Sequence, residues 1–316
     1  MAEKLTRKGV VLAKVEDSYG VDIVPAAVDL VLCGIPQHAV TGNKRERNYM
    51  RDSLSNAGFV VGAKKQTIEI ICELKGPGNV VAPKTPTYLE PLLQACGLVA
   101  ADGTIDVDDC RVYTPTSNSA LMKSATIYYY LDGILHAIVG CRGTATMEFP
   151  ADGSAQITFN MTGFYVAPSD AAANVAGAPD LKYEPPPVLS AGLKIGAYTP
   201  TGIEKITLDL GNTIAEKKDI NSETGLSSIL ITGRQPKLTL DIDMDTLAAF
   251  NPYDRWEKGT IEAISWMIGA KGNRVSIACA NPRMDEPQKA DKDGRAIWNL
   301  TYLLTGSDDD YIIKTG

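Results

Sequence analysis

The sequence predicts a mainly β protein built from two similar β units with few helices. Three observations carry that expectation: apolar and polar residues alternate along much of the chain, turn signals separate the alternating runs, and one such run reappears later with its pattern intact. Alternation with a period of two describes strands with one face on a core and the other in water.

Residues 67–75 place Ile68, Ile70, Cys72 and Leu74 on one face and Thr67, Glu69 and Glu73 on the other. Residues 237–244 repeat the design, with Leu238, Leu240, Ile242 and Met244 opposite Lys237, Thr239, Asp241 and Asp243. Residues 156–161 alternate in the same way. Two hairpins are legible. Residues 126–131 run through Asp132-Gly133 into 134–139, and 264–268 run through 269–272 into 274–280. An Asp-Gly pair supplies the positive φ angles of a tight hairpin. One short helix is expected at 88–96, where apolar side chains fall at 88, 89, 92, 93 and 96 and Gly97 stops it. Another short helical stretch begins at Asp245, with Asn251-Pro252 capping a turn that ends at Gly259. Residues 167–200, rich in Pro and Ala, read as an extended linker.

Residues 59–74 align without a gap on 229–244, and apolar meets apolar at 59/229, 60/230, 61/231, 68/238, 70/240, 72/242 and 74/244. Each half then shows an early strand (28–33; 206–210), a charged loop (43–56; 215–226), the matched segment, a short helix, a Gly-turned hairpin and a closing strand (156–162; 297–303). The expected division is an N-terminal unit at 1–166, the linker at 167–200 and a C-terminal unit at 201–316.

The 316 residues carry 31 Lys+Arg and 38 Asp+Glu, a net charge of −7. The charge is evenly spread, with 15 basic and 18 acidic groups in residues 1–170 and 16 and 20 in 171–316. A protein that reads nucleic acid needs a basic footprint, which this balance excludes. No apolar run approaches the ~20 residues of a membrane span, and the charged start lacks the apolar stretch of a signal peptide. The six cysteines show no Cys-x-x-Cys spacing and read as buried thiols of a reducing cytosol. No cofactor is expected.

Catalytic and metal motifs fail on inspection. Residues 241–245 resemble the start of a calcium loop, but Thr246 and Pro252 stand where Gly and a bidentate Glu are needed. Residues 269–274 lack the Gly-Lys-Ser/Thr of a phosphate loop and read as a turn. Residues 140–143 read as a buried cysteine beside a surface arginine, His136 as structural, and Asp106, Asp108, Asp109 and Asp308–Asp310 as solvated charges. One basic run stands out in an acidic chain: Lys44, Arg45, Arg47 and Arg51 read either as a solvated loop or as an arm that docks on another copy.

Several segments resemble the major tail tube proteins of long, non-contractile-tailed (siphovirus-type) bacteriophages. They are residues 5–22, 131–136, 140–143, 163–170, 208–213, 232–234, 250–252 and 269–273. The resemblance implies β-sandwich or barrel-like units, each with a flanking helix, in rings that stack into the virion tail tube and conduct DNA into the host. Relatives with two tube domains per chain form three-membered rings of pseudo-sixfold symmetry, and the repeat favours that form. It also implies self-association, tape measure, terminator and tail-tip partners, no enzyme activity, and assembly in the host cytoplasm. DNA would be passing cargo. On this reading Glu69, Glu73, Asp241 and Asp243 are candidate lumen-facing acids. Lys44, Arg45, Arg47 and Arg51, with Lys217 and Lys218 in the second half, form the candidate ring-stacking loop. Alternatives are a six-copy ring with one tube domain and one external domain, and a monomeric β-sandwich binding module. The latter needs an exposed aromatic platform, for which Trp256, Trp266 and Trp298 are the material.

Overall fold

Four strands of the first half lie side by side in the order Gln37–Glu46, Phe59–Glu73, Gln156–Tyr165 and Ile134–Pro150. The far end of Ile134–Pro150 then pairs with Lys205–Asp209, and the sheet runs on through Lys237–Asp243 and Arg295–Leu304. It ends at two short edge strands, Pro282–Met284 and Gln288–Lys292. The near end of Ile134–Pro150 opens a side branch through Ala125–Leu131, Gly9–Val15 and Leu30–Val31. These relations come from a computed structural model that describes residues 3–82, 84–179 and 183–316; the linker positions 180–182 lie outside them.

A second sheet of six strands has the order Lys194–Ile195, Ile264–Ile268, Val275–Cys279, Ile312–Thr315, Asp108–Pro115 and Leu98–Ile105. Both sheets therefore take strands from both halves. Their inner faces share one core, in which the Phe149 and Trp266 rings meet edge to face with centroids 5.5 Å apart. Helix α1 (Glu90–Ala95) buries Leu92 and Leu93 in that core, and Gly97 ends it at φ 81. Helix α2 (Pro252–Lys258) starts where the Asn251 side chain accepts from the Asp254 N–H at 3.2 Å and stops at Gly259, φ 59.

The strand register repeats within the chain. Gln37 faces Glu69, Gly42 faces Lys64, Lys44 faces Val61 and Glu46 faces Phe59. Adding 170 to each number (59 becomes 229) gives pairs that also exist: Thr207 with Thr239, Asn212 with Arg234, Ile214 with Ile231 and Glu216 with Ile229. Even the bulge recurs, between Gly42 and Lys44 and again between Thr213 and Ile214. The closing strands also take matching places, with Glu73 opposite Gln156 and Asp243 opposite Ile297. A pairing register is set by which residues must face the core, so its recurrence reflects the recurring apolar pattern.

Both sequence-predicted hairpins form, the first with Asp132 and Gly133 at φ 43 and 89. Four expectations need correction. The early strand at 28–33 is a short 3₁₀ turn at Ala27–Asp29 followed by Leu30–Val31, and the register partner of 207–209 is 37–39. The charged loops begin as strand, at 43–46 and 215–218, because each is the turn of a long hairpin whose arms continue into it; between the arms the remainder of each is turn. The linker carries two short strands, Ser169–Asp170 and Lys194–Ile195, and buries Val188, Leu193 and Ile195. Asp308 and Asp310 are not free tail charges: Ser117 donates to Asp308 at 2.6 Å, and Arg234 holds Asp310 at 3.2 Å.

Removing the largest buried ring should expose how far the two sheets depend on each other. Trp266→Ala is expected to cost about 3–5 kcal/mol, the usual penalty for emptying an aromatic core site. A single shifted transition in denaturant unfolding, rather than two, is the expected form of that loss.

Candidate assembly surfaces

Residues directly opposite in antiparallel strands point to the same side of a sheet. One row on the outer face of the large sheet therefore reads Glu73, Gln156, Glu148, Thr207, Thr239 and Thr301, crossing from the first half into the second. The neighbouring rows bring Glu69 with Asn160 and Thr144, and Lys205 with Asp241 and Asn299. All four acids singled out in the sequence thus share one face. Cations temper it: Lys75 meets Glu73 at 2.8 Å, Lys205 meets Glu148 at 2.6 Å and Arg295 meets Asp243 at 3.1 Å. Asp241 accepts from the Asn299 amide at 2.5 Å, and Glu69 has no ion pair among the described residues. The sequence reading missed Glu148, Asp209 and the neutralising cations, since only cross-strand register brings them to this face. Lys75 is fully buried; its ammonium also donates to the Tyr183 carbonyl at 2.9 Å and lies 4.4 Å from that ring's centroid, pinning the linker to the sheet.

The arm formed by Gln37–Glu46 and Phe59–Glu73 carries the basic run. Lys44 and Arg45 lie within its paired strand, opposite Val61 and Val60, which corrects their placement in a loop. Arg47 and Arg51 sit on the turn beyond, their guanidinium groups 5.6 and 5.9 Å from the Tyr49 ring centroid. Lys217 and Lys218 end the strand Asn212–Lys218 of the second hairpin. Lys218 shares one shallow groove with Lys44, Arg45 and Val60, while Lys65 of the first arm pairs with Glu216 of the second. The arm also exposes Tyr49, Met50, Leu54, Phe59, Val60 and Val61. Exposed apolar side chains gathered on one arm make it a candidate interaction surface.

Residues 6–301 match the family model described as Phage tail tube protein. The chain belongs to that family. No curated protein matches it in sequence. As a member of the tail tube family it has a structural role in the virion tail and self-assembles into a tube. A tube builder must offer surfaces to its own copies, and the arm and the edges of the large sheet are candidates for them.

The other sequence candidates fall into the scaffold of this tail tube protein. Burial, then the Glu16 carboxylate, pushes the Cys141 thiol well up, so it is no activated thiolate. Arg142 beside it lies 4.7 Å from the Tyr19 ring and donates to the Ile229 carbonyl at 3.0 Å. Lys271 in the 269–272 turn donates to Asp108 at 2.6 Å. Trp266 and Trp298 are buried and Trp256 is exposed, so the three tryptophans do not form a platform. Among the described residues no cluster of three or more His, Cys, Asp or Glu could hold a metal ion, and no helix is long and apolar enough to cross a membrane.

The two histidines, far apart in sequence, meet at the base of the arm with ring centroids 4.7 Å apart. His38 bonds the Gln66 side chain at 2.7 Å, whereas His136 Nδ1 is buried with no partner among the described residues. Burial, then His38, holds the His136 pKa below its ordinary 6.5. The unfolded chain therefore takes up this proton more readily than the folded one. The stability linked to His136 is complete above about pH 6.5 and declines below it. Thermal unfolding followed from about pH 7 to about pH 5 is expected to show a falling midpoint, and His136→Gln to flatten that fall.

Proposed function

We propose that three copies form a ring of pseudo-sixfold symmetry, and that the rings stack as the tail tube of a siphovirus-type phage and conduct its genome into the host. The observation that carries this reading is the ribbon of two four-strand units. Gln37–Glu46 stands to the first unit as Lys205–Asp209 stands to the second, by register. Inside the chain the start of the second unit pairs with the end of the first, Thr207 with Glu148. The start of the first unit and the end of the second, at Gln288–Lys292, are left as open edges. Open edges are an aggregation hazard unless something pairs with them. A head-to-tail contact that closes by rotation pairs every one of them. Three chains of two units each then give six similar positions.

The outer face of the ribbon, with Glu69 and Asp241, is the proposed wall of the lumen. Carboxylates there repel phosphates over about one Debye length, ~8 Å at physiological salt, so DNA passes without being gripped. Lysines at both positions, Glu69→Lys with Asp241→Lys, are expected to leave tubes intact and slow genome passage; unchanged ejection kinetics would remove this face from the lumen. Arg47 and Arg51 at the arm's tip are the proposed ring-to-ring contact. Tape measure, terminator and tail-tip proteins are the partners expected at the ends, with assembly in the host cytoplasm.

Electron microscopy and the native mass of the purified protein test the main reading. Stacked rings of three chains are the expected result. A ring of six chains would favour one tube domain and one external domain, and a chain that stays monomeric under all conditions would sink the tube reading. Arg47→Glu with Arg51→Glu is expected to leave single rings and few stacks.

A further inference from the structure

The second hairpin packs on the first half of its own chain, and that contact is specific. The Ile229 N–H donates to the Tyr19 hydroxyl at 2.5 Å, and Arg142 donates to the Ile229 carbonyl at 3.0 Å. Ile231 lies against Gly97, the residue that ends α1, and the Asn212 amide donates to the Cys96 carbonyl at 2.7 Å. The second hairpin thus caps the C-terminal end of the first half's helix with an apolar face.

Each half of this contact has a counterpart that is uncovered. By the register repeat, Phe59 and Val61 stand where Ile229 and Ile231 stand in the second hairpin. Ile229 is fully buried, whereas Phe59 is 53% and Val61 43% exposed. On the receiving side, Gly259 ends α2 in the left-handed region as Gly97 ends α1. Where Ile231 approaches Gly97, nothing among the described residues lies within 4 Å of the position a Cβ on Gly259 would take. Trp256 and Ile261, on either side of Gly259 in the chain, are each 45% exposed. One chain therefore carries a filled copy of a contact and both separated parts of a second.

We propose that the apolar face of the first arm, Phe59 and Val61, docks over Gly259 at the end of α2 in a second copy of the chain. This rests on the self-assembling reading above and names the surfaces that join neighbours within a ring. The occupant is a second copy because the matching contact already exists within one chain. Geometry also keeps a chain from filling its own site, since its first arm is engaged by its second hairpin through Lys65 and Glu216 and through the Lys64 N–H, which donates to the Thr224 carbonyl at 2.8 Å. Charge agrees: Lys44 lies over the Phe59 ring at 4.9 Å, and Glu257 is exposed on α2. An exposed tryptophan is the kind of residue that dominates such contacts. The contact is heterologous, so each chain gives an arm to one neighbour and a helix end to the other.

Complementation tests it. A donor variant (Phe59→Asp with Val61→Asp) and an acceptor variant (Trp256→Asp with Ile261→Asp) change only surface positions. Sedimentation is expected to find each alone monomeric, with the circular dichroism and unfolding midpoint of the unassembled wild-type chain. Mixed, they are expected to form a dimer of one donor and one acceptor and nothing larger, because one intact arm meets one intact helix end. Rings formed by either variant alone would overturn the proposal. So would a mixture that stays monomeric while wild-type chains form rings. Serine in place of aspartate supplies a milder donor if the first fails to fold, with the same outcomes decisive. A wild-type chain that never assembles would defeat the self-assembling reading itself, a result distinct from the other two.

Discussion

Backbone pairing between Thr146–Pro150 of one half and Lys205–Asp209 of the other is the interaction on which the rest of the structure depends. Without it the chain would hold two separate four-strand units with four open edges. With it there is one ribbon, and the open edges are reduced to one at each end. The strand Ile134–Pro150 is long enough to serve the side branch at its start and this junction at its end, so a single element fixes both halves. The six-stranded sheet adds a second tie, since Asp108–Pro115 of the first half pairs with the C-terminal strand Ile312–Thr315.

The junction also explains how polar groups are arranged around a shared core. Apolar residues of both halves meet inside, while Thr, Asn, Gln and carboxylates collect on the opposite side of the ribbon. Glu73, Glu148 and Asp243 have cationic partners close by, which lowers the repulsive field below what a count of acids suggests. The exposed pairs at Glu148 and Asp243 add little to stability. Their effect is on the local field of the face, where each cation offsets a carboxylate. On the proposed lumen reading that balance suits a surface that passes a polyanion without holding it, because strong basic patches bind DNA through counterion release.

Much of the fold was legible in the sequence because strands announce themselves by alternation. Residues 67–74 and 237–243 could be read directly, and their ungapped match located the repeat. The hairpin at Asp132-Gly133 was legible from turn chemistry alone. The strand at 98–105 was not, since Ala100, Ala101, Asp102 and Gly103 give no alternating apolar signal and only pairing with 108–115 defines it. Charge misled at 44 and 45, where basic residues suggested a loop although they occupy an arm that extends beyond the sheet and has water on both sides. The face shared by Glu69, Glu73, Asp241 and Asp243 could be listed residue by residue, but their being on one continuous surface follows from register across the junction, which a linear pattern does not carry.

In the proposed assembly the contact that joins the two halves within a chain is repeated between chains. A high-resolution reconstruction of the assembled tube tests that most directly. It is predicted to show the edge strand at 37–41 hydrogen-bonded to Gln288–Lys292 of the neighbouring chain, in the manner of Lys205–Asp209 on 146–150. A tube in which either edge faces solvent, or in which like edges pair with like, would contradict it.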